Sequence, residues 1–125
     1  MFDTAAKIDW PVPVGRDWQP VAIIEAFDLT GGQCELAAWD KLGTLILWMG
    51  TSGRTAPTAT ATLSVGSFTI AFAAGNTTLQ GLLSKAQTGK FLEIAYRYQF
   101  DIYDTAALQH PFLEGKITCT GRPLP

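Results

Sequence analysis

The sequence predicts an all-β fold: a single immunoglobulin-like antiparallel β-sandwich of seven or eight strands, with one short helix in a connection. Three observations carry this. Short runs of strand-forming residues recur between turn residues, the segment from Phe91 to Tyr103 alternates apolar and polar positions throughout, and only Thr77 to Gln87 shows helical spacing. The 125 residues fit one domain, 1–125, with 1–7 and 121–125 as extended tails. A chain of this size buries roughly two-thirds of the surface that its unfolded form exposes, so no disulfide or metal staple is required.

The elements follow in order. Ile8 to Val14 places Trp10, Val12 and Val14 at period two, but Pro11 and Pro13 lack N–H donors, which confines the segment to a sheet edge or an extended arm. After a turn at Gly15-Arg16-Asp17, Val21 to Phe27 is apolar on both faces except at Glu25, implying burial on both sides or an interface. Asp28 to Gly32 is a polar turn into a strand with Cys34, Leu36 and Ala38 on one face and Gln33, Glu35 and Ala37 on the other. Asp40-Lys41-Leu42-Gly43 connects as a hairpin to Thr44–Met49, where Leu45, Leu47 and Met49 oppose Ile46 and Trp48.

Beyond a loop at Gly50 to Pro57, the Thr/Ala alternation from Thr58 to Val65 predicts an edge strand. Gly66 is read as a turn into Phe68, Ile70 and Phe72. Leu79, Leu82, Leu83 and Ala86 then follow the i, i+3, i+4, i+7 spacing of a helix capped by Asn76 or Thr77 and ended by Gly89. Leu92 to Tyr103 is the clearest strand, a loop covers Asp104 to Pro111, and Phe112 to Thr120 is the last strand.

Composition excludes several functions. With 47% hydrophobic and 16% charged residues the chain is not disordered, and no apolar stretch approaches the length of a transmembrane helix, so no membrane partner is expected. The start lacks the basic and apolar regions of a signal peptide, which predicts a chain made and kept in a cytoplasm. Nine basic residues lie scattered among eleven acidic ones, without the clustered footprint that nucleic-acid binding needs. Cys34 and Cys119 can pair in principle, but each holds an apolar position of a strand-like run and reads as a buried, reduced thiol. One histidine and two cysteines without CxxC spacing predict no metal, and no cofactor motif is present.

No catalytic group can be assembled either. His110 reads as a surface-loop histidine, and Ser52, Ser64, Ser67 and Ser84 lie outside any GxSxG context. Asp101 and Asp104, flanking Tyr103, read as a strand end meeting a turn. Asn76-Thr77-Thr78 matches a glycosylation acceptor but is better explained by capping. The tryptophans carry more weight, because Trp is over-represented where binding energy concentrates. If Leu45, Leu47 and Met49 face the core, Ile46 and Trp48 form an outward apolar patch; the alternative is that both faces are covered. Trp10 and Trp18 flank the Gly15 turn and anchor the arm or contribute to an interface.

The order Val14-Gly15-Arg16-Asp17-Trp18, Asp28-Leu29-Thr30-Gly31, Tyr96-Arg97-Tyr98-Gln99-Phe100-Asp101-Ile102 and Phe112-Leu113-Glu114-Gly115-Lys116-Ile117-Thr118 resembles small immunoglobulin-like modules of tailed phages and prophages. These modules resemble the N-terminal domain of baseplate upper proteins. The likeness spans Ile8 to Thr120, with a longer connection between Asn76 and Gly89. It implies a turn at Gly31 that needs positive φ and a bend into the last strand at Glu114 and Gly115. It also implies a non-enzymatic virion component, tail- or baseplate-associated and assembled in a bacterial cytoplasm, that docks other virion proteins and forms homo-oligomers. The candidate interface is Trp10, Trp18, Ile46 and Trp48, together with the arm Ile8–Val14. The alternative function is glycan binding or host recognition, with Trp10, Trp18, Tyr98 or Tyr103 stacking on sugars.

Overall fold

Nine strands join in one curled, mixed sheet in the computed structural model, which describes residues 5–120. They are β1 (Ala6–Lys7), β2 (Trp10–Pro13), β3 (Val21–Ile24), β4 (Gln33–Trp39), β5 (Leu45–Gly50), β6 (Ser64–Ala73), β7 (Asn76–Leu82), β8 (Ala95–Tyr103) and β9 (Gln109–Thr120). Among the described residues the one helix, α1, is Lys85–Thr88. Neighbours run β1-β9-β8-β4-β5-β6-β7-β3, and β2 also pairs with β9. The all-β class is as expected, but the pairing is not purely antiparallel: β6 runs parallel to β5, and both β1 and β2 run parallel to β9. The tail expected at 1–7 is partly strand, since Ala6–Lys7 is β1, while 1–4 and 121–125 lie outside the described residues.

Alternation written into the sequence sets the central strands. In β4, Cys34, Leu36 and Ala38 are buried, and in β8 Tyr96, Tyr98, Phe100 and Ile102 are buried, each set on one face. The curl comes from β6, whose first residues pair with β5 while Ser67 to Ala73 pair with β7. A Cβ at Gly66 would lie 2.6 Å from the Leu82 carbonyl oxygen, so this glycine admits close strand approach and does not turn the chain. The curl brings Phe68 over Phe100, ring centroids 4.8 Å apart, and Trp10 against Trp18 at 5.9 Å.

Three local expectations are overturned. Residues 77–82 are strand, not helix: Thr77, Leu79, Gly81 and Leu83 are buried at period two while Leu82 and Ala86 are exposed. The turn that makes this hairpin holds both Ala74 (φ 54°) and Gly75 (φ 81°) left-handed, as a two-residue turn of type I′ demands. Asn76 and Thr77 cap no helix. The Asn76 Oδ1 accepts the Ala26 N–H, and the Thr77 hydroxyl accepts the Leu29 N–H and donates to the Phe27 carbonyl.

The Thr/Ala stretch forms no strand before Ser64. Its Thr60 hydroxyl accepts the Leu63 N–H, and Lys90 Nζ donates to the Thr60 and Leu63 carbonyls. Alanine side chains bury too little to hold a strand against these polar contacts. Finally, β9 begins at Gln109, so His110 is a strand residue opposite Ile102, and the chain runs extended through Gly115.

Candidate functional site

The residues that carry chemistry are committed to structure. The Asp104 carboxylate accepts N–H bonds from Ala106 and Leu108 and lies 2.9 Å from His110 Nε2; these bonds, the histidine's first, hold its carboxyl below the usual range. Asp101 accepts from Gln109 Nε2, and burial pushes its carboxyl up. Ser64 and Thr88 are buried hydroxyls that donate to the carbonyls of Gln87 and Arg16. Cys34 is free and buried, its thiol pushed up to about 12 by desolvation, whereas Cys119 is only half-buried. Among the described residues no three His, Cys, Asp or Glu side chains are placed to hold a metal, and no helix is long and apolar enough to cross a membrane.

The tryptophans do not form an outward patch. Trp18 is 6% exposed, Ile46 8% and Trp48 6%. Ile46 belongs to the core, and the Trp48 ring lies over Gly50, within 2.7 Å of where a Cβ would stand, so β5 is covered on both faces. Trp10 is half-buried and stacks on Tyr98 at 5.7 Å. Tyr98 is fully buried and Tyr103 lies beneath Arg54, whose guanidinium is 3.7 Å from the ring centroid and ion-paired to Glu35. These aromatics therefore make no common sugar-stacking platform.

Candidate recognition surface lies instead at a sheet end and on one sheet face. β3 ends the sheet, and Val21 and Ile23 are 47% and 56% exposed while Ala22 and Ile24 are buried. The Gly81 N–H donates to the Pro20 carbonyl, and Trp18 and Leu83 exchange both bonds. Antiparallel alternation then turns the Ala22 and Ile24 backbone toward β7 and leaves the Val21 and Ile23 N–H and C=O groups on the open edge. Across the outward face beside them stand Thr78, Gln80 and Leu82 of β7 and Ser67, Thr69 and Ala71 of β6, with no charged residue.

A groove of about 1050 Å³ opens on the other half of the sheet, between the Asp40–Gly43 hairpin tip and the outward side chains of β8 and β9. Strand register lines up Trp39, Arg97 and Lys116 in one row across β4, β8 and β9, and Gln99, Glu114 and Lys7 in the next. The Arg97 guanidinium sits 5.4 Å from the Trp39 ring centroid. Neither row was legible as a site in the sequence, because cross-strand register decides it. No family model and no curated protein matches this sequence.

Proposed function

We propose that this protein is a non-enzymatic module that acts by protein–protein docking, with the open edge of β3 as its docking strand and a phage tail or baseplate as its setting. The observation that carries docking is an uncovered edge strand with outward N–H and C=O groups and two exposed branched side chains, a template for strand addition. The virion setting rests on the sequence resemblance, as does the reading of the curl as an immunoglobulin-like sandwich. The Phe68–Phe100 contact, which faces β6 toward β8, favours the latter.

A second copy of the chain is the first partner to test, because β3 is self-complementary. Centred on Ala22, an antiparallel pair sets Val21 against Ile23 of the second copy, with outward backbone groups meeting, and Gln19 against Glu25. Shifting the centre to Val21 opposes Glu25 with Asp17, and shifting it to Ile23 opposes Glu25 with Val21; both are worse. Light scattering over a concentration series is expected to show a dimer that Ile23→Lys converts to monomer with an unchanged circular dichroism spectrum, and a thermal midpoint that rises with concentration in the wild type only. A wild-type monomer at every concentration would exclude self-docking, and an Ile23→Lys dimer would remove β3 from the interface.

A further inference from the structure

We infer that the groove at Trp39, Arg97 and Lys116 binds an acidic saccharide, a sugar carrying a carboxylate. No residue of β3 lines it, so this site is separate from the docking edge. The starting point is a like-charge pair: Arg97 and Lys116 stand directly opposite each other on neighbouring strands. That arrangement is unfavourable in an empty sheet. Neither cation is ion-paired among the described residues, whose salt bridges are Arg54–Glu35 and His110–Asp104. With Lys7 and Lys41 the groove presents four cations against two carboxylates, Asp40 and Glu114, with Asp9 beside it accepting the Lys116 N–H, on a chain whose net charge is −2. An oxyanion bound between Arg97 and Lys116 removes the repulsion.

The remaining lining distinguishes among anions. Cation–π contact with Trp39 holds the Arg97 side chain in place, leaving a planar fork that suits a carboxylate bidentately. Gln99, directly opposite Glu114, offers both donors and acceptors for hydroxyl groups. The Trp39 indole, half-buried, gives an apolar flank. A polyphosphate offers charge without hydroxyl groups, whereas a sugar acid sets hydroxyls beside each carboxylate and so matches both the Arg97–Lys116 pair and the Gln99 amide.

Titration calorimetry at low salt tests this with trigalacturonate as the probe, and with its methyl ester, inorganic phosphate and tetraglutamate as comparisons. Trigalacturonate is expected to bind and its uncharged ester not to. Arg97→Gln is expected to weaken binding about tenfold or more, at unchanged fold, given the strength of a charged hydrogen-bonded pair. Should Arg97→Gln fail to fold, Lys116→Gln provides the same readout with a smaller loss. Without ligand, Lys116→Gln is expected to raise the thermal midpoint by relieving the repulsion, and a midpoint that does not rise overturns that premise. No trigalacturonate binding, binding indifferent to both substitutions, or equal binding of the ester, phosphate or tetraglutamate overturns the assignment, the last in favour of an acidic-peptide site.

Discussion

The two ends of the sheet are built by opposite rules. At one end, β2 covers part of β9, and its backbone alternation is fixed by the Ile8 N–H donating to the Glu114 carbonyl and the Val14 N–H donating to the Thr120 carbonyl. The even-numbered residues between them face β9, so the outward positions are Asp9, Pro11 and Pro13, and the two in β2 are prolines with no N–H to offer. At the other end, the outward positions of β3 are Val21 and Ile23, each with a donor and acceptor unpaired among the described residues and an exposed apolar side chain. One edge is guarded by proline at both outward positions of β2, and the other is open at both outward positions of β3. Proteins blunt edges that must stay single. The open edge is the one the proposed docking uses, and the guarded edge shows that this chain contains the means of closing one.

The most severe way to break the contrast is to detach the guard. Gly115 of β9 has φ 149°, and a Cβ there would run into the Ile8 carbonyl oxygen. The missing side chain is what lets the arm pass across β9 between β1 and β2. Gly115→Ala is expected to cost about 2–4 kcal/mol, combining backbone strain with loss of arm contacts, read as a lower urea midpoint. An unchanged midpoint would show that the arm contributes nothing to stability.

A milder test keeps the arm in place but cuts its tether. The buried Tyr98 O–H donates to the Ile8 carbonyl at 2.6 Å, and burial first, then Asp9 and Glu114, push its phenol up to about 12. Tyr98→Phe is expected to lose about 1–2 kcal/mol. The sign of the pH effect follows from the raised value. The folded state favours the protonated phenol, so this contribution is fully present below the unfolded value near 10 and declines as pH rises toward 12. Unfolding followed from pH 9 to 12 should show a shallower decline in Tyr98→Phe than in the wild type; equal slopes would assign the decline to other groups, the buried Cys34 thiol first among them.

The same contrast shows which parts of this fold a sequence can reveal. Pro11 and Pro13 declare an edge by themselves, and the strict alternation of Tyr96, Tyr98, Phe100 and Ile102 declares a half-buried strand. Leu79 and Leu83, four apart, satisfy both the helical and the strand period, so the turn at Ala74 and Gly75 decides between them. An alanine gives no warning that it will sit left-handed. Burial of Trp48 depends on Gly50 leaving room beneath the ring, and the groove row of Trp39, Arg97 and Lys116 depends on register between strands far apart in the chain. Local pattern fixes faces; it does not fix which strands become neighbours.

The smallest change in stability, and the most direct test of the guard, is to give the closed edge the donors it lacks. Pro11→Thr with Pro13→Thr keeps β-compatible residues at outward positions and restores two N–H groups, at a cost of about 0.4–1 kcal/mol per proline from greater freedom in the unfolded chain, offset in part by the strand propensity of threonine. If missing donors are what close this edge, the double variant gains a second route to association. Its mass in light scattering should then rise with concentration even when Ile23→Lys has shut the β3 edge. A triple variant that stays monomeric would mean that the proline donors do not control this edge. The charged neighbours Lys7 and Asp9 would then be the residues that keep it single.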